Sequence, residues 1–140
     1  MDIEEFKDIC NSFEGATEGF PFDDKTLAFK VMGKIFALTN VEEFDSIDLK
    51  CDPVKAATLR DLYPEVKPGH HMDKRHWNTI DPHGYLSDVL IKEWIKDSYD
   101  LVVESLPRKD ERKIEKMIEK KKKKEKKQKE KENEGDSEEE

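Results

Sequence analysis

Between Thr26 and Leu38 the chain alternates, turns and returns. Leu27, Phe29 and Val31 fall on one side of Thr26–Met32, and Thr26, Ala28 and Lys30 on the other. A period of two is the mark of a half-buried strand. Gly33-Lys34 supplies a tight turn, and Ile35-Phe36-Ala37-Leu38 comes back apolar on both faces, as a central strand does. Ile47, Leu49 and Cys51, alternating with Asp48 and Lys50, predict a third strand. Three such strands in sequence are expected to form an antiparallel meander.

A meander with one apolar face needs helices to cover it. Asp2 and Glu5 have capping-box spacing, and Ile3, Phe6, Cys10 and Phe13 follow at helical spacing up to Gly15. Phe20-Pro21-Phe22 then predicts an extended aromatic segment plugging the edge of the core. Asp52-Pro53 starts a second helix, because proline at the first helical position gives up no hydrogen bond. Its expected stripe is Ala56, Leu59, Leu62 and Tyr63, ended by Pro64. Ser87 caps a third, with Ile91, Trp94, Ile95, Ser98, Val102 and Leu106 on one face. A serine in the middle of that stripe predicts close approach to a strand.

Pro107 interrupts the pattern, and from Lys109 the chain is nearly all Lys and Glu. The expected division is an α+β domain over residues 1–108 and a charged tail over 109–140, helical and then disordered. Charge divides in the same place. Residues 1–107 carry a net −10, residues 108–131 a net +8 and residues 132–140 a net −6. An acidic domain repels phosphate at long range, so any nucleic-acid contact must use a local basic patch or the tail. The run Lys120–Lys124 is either such a contact or a solubilising extension.

Pro68–Thr79, PGHHMDKRHWNT, is the densest stretch of binding-type side chains. His70–Met72 and His76–Ile80 are expected as two strands, with Asp73-Lys74-Arg75 as a charged turn between them. As a nucleic-acid contact, Lys67, Lys74 and Arg75 would hold phosphates, His70 and His71 would add charge, and His76 and Asn78 would lie near bases. As plain structure, Trp77 fills the core, a histidine bonds a carbonyl and the turn is solvated.

Other chemistries fit less well. Adjacent His70 and His71 point to opposite sides of a strand, so no metal site is expected. Cys51 reads as a core residue, and Cys10 and Cys51 as free thiols. The sequence has no glycine-rich phosphate loop, HExxH or GxSxG. No enzyme activity and no cofactor are expected. The acidic N-terminus is no signal peptide and no apolar run spans a membrane, so a cytoplasmic location is expected.

The runs GFPFDDKTLAFKVMGKIFAL, IDLKCDP, LYPEVKPGHHMDKRHWNT and SYDLVVESLP resemble the MmcQ/YjbR family over about residues 2–108. The resemblance implies an α+β fold with helices packed on a curved antiparallel sheet, in agreement with the sheet of about five strands, a three-strand meander plus a hairpin, and the three helices expected from the residues. That fold is similar to the frataxin (CyaY-like) and secretion-chaperone-like folds. It also implies a predicted DNA-binding "double wing", whose hairpins here are Lys30–Lys34 and Met72–Trp77. The alternative partner is a protein, bound as secretion chaperones bind.

Overall fold

The structure, a computed structural model, describes residues 1–70 and 72–139, with side chains through residue 133. The elements in chain order are α1 (Ile3–Asn11), β1 (Ala16–Gly19), β2 (Thr26–Val31), β3 (Lys34–Asn40) and β4 (Ile47–Lys50). Then come α2 (Pro53–Leu62), β5 (Val66–Pro68), β6 (Trp77–Ile80), α3 (Asp88–Glu104) and α4 (Arg108–Glu139). The fold is α+β, with one six-stranded antiparallel sheet in the order β1-β2-β3-β4-β6-β5.

The expected meander is β2-β3-β4, and β3 is central and buried along both faces. Its turn is Met32-Gly33, one residue earlier than expected. Both have positive φ, 49° and 81°, as a two-residue hairpin turn of right-handed twist requires. The sheet has six strands because β1 adds an edge where only an aromatic entry was expected. Phe20 and Phe22 do not plug the core; they are 50% and 65% exposed. Of the strand expected at His70–Met72, neither His70 nor Met72 is in a strand, and the middle residue lies outside the described residues; the strand that pairs with β6 is β5, four residues further back. Both missed strands are short edges, too brief for alternation to register.

The caps fall where the sequence puts them. Asp2 accepts from Glu5 N at 2.8 Å, Asp52 from Val54 N and Lys55 N, and Ser87 from Leu90 N. Gly15 does not end α1, which stops at Asn11 with Ser12 as its cap. Leu62 is exposed rather than part of the α2 stripe.

Leu27, Phe29, Val31, Ala37, Ile47, Leu49 and Ile80 share the covered face of the sheet and join the core with α1, α2 and α3. Phe6, Phe13, Phe29, Phe36 and Tyr99 meet there in stacked and edge-on ring contacts. Ser98 makes the close approach its position predicts. Its Oγ donates to Phe36 O at 2.6 Å and accepts from Lys50 N at 2.9 Å. The β3–β4 register ends at Ala37↔Leu49, one step earlier, so the hydroxyl stands in for the next ladder bond. That insertion fixes α3 to both strands.

The core reaches past residue 108. Ile114 of α4 is 1% exposed, and its Cδ1 lies where a Cβ on Gly15 would be, at 2.7 Å. Lys121 Nζ then donates to Ser12 O at 2.9 Å and pairs with Glu14. Among the described residues no helix is long and apolar enough to cross a membrane.

Candidate nucleic-acid interface

The connection from β5 to β6 is built around backbone approach. Gly69 is buried, and its N–H donates to Trp77 O at 2.8 Å. A Cβ there would meet Trp77 Cβ at 2.7 Å, so only glycine lets the chain cross this closely. His70 N donates to Thr79 Oγ1 at 2.8 Å, and that hydroxyl donates onward to Asp48 Oδ1. His71 lies outside the described residues.

Asp73 closes the turn. Its Oδ1 accepts from Arg75 N at 3.0 Å, its backbone carbonyl accepts from His76 N, and its Oδ2 meets His76 Nδ1 at 2.7 Å. The Arg75 amide and then the His76 ring hold the Asp73 carboxyl below the usual carboxylate range. His76 O accepts from Cys51 N at 2.7 Å, which ties the end of the turn to β4.

Arg60 of α2 straps this turn to the domain. Its Nη2 donates to Lys74 O and its Nε donates to Asn78 Oδ1 at 2.7 Å. Asn78 Nδ2 reaches Ala56 O at 3.4 Å. The Lys74 backbone is thereby held from behind while the Lys74 and Arg75 side chains stay exposed. Neither of these two side chains has an ion pair among the described residues.

The nine residues expected to touch nucleic acid therefore separate. Lys74, Arg75 and His70 are exposed on the turn, and His76 beside them is half-buried against Asp73. Asn78 is 1% exposed with its amide bonded inward, so it is structural and not a base-edge group. Lys67 is exposed on β5 but lines an open groove with Asp45, Glu65 and Asp81. Lys30 is half-buried near the end of β2, paired across the sheet with Thr17. Lys34 donates to Ser105 O at 3.2 Å, where a cation complements the end of α3. The Met32-Gly33 tip itself carries no charge.

The positioning residues Arg60 and Thr79 escape a reading of sequence alone. Arg60 had one available signal: it follows Ala56 at i+4, beside the buried stripe of α2. Cys51 is half-buried and its thiol is pushed up by burial, which leaves no activated thiolate there. Among the described residues no three His, Cys, Asp or Glu side chains come together to hold a metal.

Comparison with known proteins supplies the lineage. The chain is 38% identical over 96 residues to the uncharacterized protein YbdF of Escherichia coli O157:H7, covering 68% of this chain and 79% of that one. It is 33% identical over 115 residues to the uncharacterized protein YjbR of Escherichia coli K12, covering 81% and 97%. The crystal structure of a Deinococcus radiodurans protein with a DUF419 domain superposes with a TM-score of 0.74 at 31% identity, over 80% of this chain and 86% of that one. A Pseudomonas syringae protein gives 0.62 at 27% identity, over 72% and 98%. The YjbR family model matches residues 11–101, most of the folded domain, and the chain belongs to the YjbR family.

Proposed function

We propose that this protein is a non-enzymatic binder of duplex nucleic acid, DNA first, and that it uses the end of the sheet from which its two hairpin turns project. One observation carries the reading. Neighbouring strands from β2 to β5 all run antiparallel, so β2 and β5 point the same way. The Met32-Gly33 turn and the 69–76 turn therefore leave the same sheet end. Three strand spacings separate them, roughly 14 Å. That is close to the ~12 Å width of a DNA major groove. Lys74 and Arg75 supply the phosphate contacts, with His70 beside them, and Met32-Gly33 supplies an uncharged second wing.

Two firm phosphate contacts give weak binding with a shallow salt slope. From about 50 to about 200 mM salt, affinity should fall about tenfold through this turn. The test is fluorescence anisotropy of a labelled random duplex with the full chain and with Lys74→Ala/Arg75→Ala. The double variant should bind more weakly and lose about 0.9 of log-log slope per contact removed. Unchanged affinity and slope would remove the turn from the interface.

Exposed Phe20 and Phe22 favour a second reading. They leave the opposite sheet end, and a protein partner is the chemistry that would cover them. Loss of a partner on Phe20→Ser/Phe22→Ser, with duplex binding absent, would favour that reading.

A further inference from the structure

The charged helix α4 is not uniformly charged around its axis. At about 100° per residue, Lys113, Lys116, Lys120, Lys124, Lys127 and Lys131 fall within about 40° of one line along the helix. No other residue between 113 and 131 shares that sector. Every carboxylate of α4 from Asp110 to Glu132 lies about 80° or more away from it. The residues that hold α4 to the domain, Ile114, Ile118 and Lys121, point about 100–160° away. The lysine line therefore faces outward.

The six lysines are exposed, and among the described residues none has an ion pair. The two Glu-to-Lys i,i+4 pairs of α4, Glu119–Lys123 and Glu125–Lys129, do not close either. Lys121 is the last described residue of α4 bonded to the domain. From there the helix continues to Glu139. The result is a rail about 27 Å long, at 1.5 Å per residue, carrying one sign of charge.

We propose that this lysine rail is a sequence-independent docking surface for the phosphodiester backbone of a nucleic-acid duplex. Charge complementarity selects the partner class. Lysines are point charges without the planar fork that reads base edges, so the rail suits phosphate and not sequence. An anionic membrane fits less well. A helix lying on a bilayer buries an apolar face, and residues 119–133 contain no apolar side chain. The rail draws on no hairpin contact, and it stands whether or not the 69–76 turn touches nucleic acid.

The test uses two charge-matched variants of the full chain. Lys120→Gln/Lys124→Gln/Lys127→Gln removes three charges from the rail. Lys122→Gln/Lys126→Gln/Lys129→Gln removes three from the opposite face. Circular dichroism checks that both keep the helix. Labelled DNA duplex, RNA duplex and phosphatidylserine vesicles are the probes, at about 50 and about 200 mM salt. With about four lysines engaged, affinity of the unmodified chain for a duplex should fall about a hundredfold between the two salts. The rail variant should lose most of that dependence and the opposite-face variant should keep it. DNA and RNA bound alike support a backbone site, and a large preference for either would overturn it. Equal losses in the two triple variants would reduce the effect to bulk charge and overturn the rail. Binding to vesicles but to neither duplex would overturn the partner. Loss of duplex binding in Lys74→Ala/Arg75→Ala with no loss in the rail variant would leave the turn as the interface and overturn the rail.

Discussion

Ile114 Cδ1 occupies the space that a side chain on Gly15 would need, 2.7 Å from an ideal Cβ. One contact thus joins the turn after α1 to the charged C-terminal helix, and it sets where the lysine rail points. Gly15 also has φ of +74°, a conformation other residues adopt at a cost.

The pair makes a coupled prediction. Ile114→Ala should destabilise by about 2–5 kcal/mol, the range for large-to-small core changes. Gly15→Ala should also destabilise, through both φ and the clash. The double variant should cost less than the two together, because removing the isoleucine relieves the clash. Urea unfolding of all four proteins measures the coupling, and strict additivity would contradict the contact.

Arg60 is the strap of the β5–β6 turn. Arg60→Ala should cost about 1–3 kcal/mol by stranding the buried Asn78 oxygen. It should also speed amide exchange across residues 72–76. Arg60→Lys should not restore protection, because one ammonium cannot span both Lys74 O and Asn78 Oδ1. Exchange unchanged in Arg60→Ala would show that the turn is held by other bonds.

Ser98→Ala strands Phe36 O and Lys50 N together. The expected loss is about 1–3 kcal/mol, unless β3 and β4 close the gap by pairing directly. Denaturant unfolding gives the loss, and amide exchange at Lys50 separates the two outcomes: protection kept means the strands have closed.

Alkaline pH should destabilise the fold in two steps. Burial pushes the Cys10 thiol up, and burial followed by the charge of Glu14 pushes Tyr99 up to about 12. In both cases the native state holds its proton more tightly than the unfolded chain does. Stability is therefore full below the unfolded pKa and falls as pH rises past it, from about 8.5 for Cys and about 10 for Tyr. Burial raises the Cys51 thiol as well, so it shares the first step, and Cys10→Ala/Cys51→Ala should move the onset of loss from the first value toward the second. An unchanged onset in thermal melts from pH 7 to 11 would contradict the assignment.

The sequence is legible where periodicity is long. The meander, α1, α2 and α3 with their caps, and the strand contact of Ser98 all follow from spacing. β1 and β5 do not, because strands of four and three residues show barely one alternation. The interface is legible only in part. Lys74 and Arg75 are exposed as their turn predicts, but Asn78 faces inward because Arg60, 18 residues earlier, bonds it there. Lys34 is held by Ser105, 71 residues later in the chain. Partners that distant leave no local mark. The lysine rail was in the sequence throughout, but it emerges only once residues 108–131 are known to form one unbroken helix.

The most direct measurement of nucleic-acid binding by the sheet end is amide chemical-shift mapping of the full chain with a short random DNA duplex at low salt. Residues 72–76 should shift together with the Met32-Gly33 turn, whether or not the lysine rail of α4 shifts as well. Perturbation confined to α4 or to the opposite end of the sheet around Phe20 and Phe22, or none at all at millimolar duplex, would contradict the account.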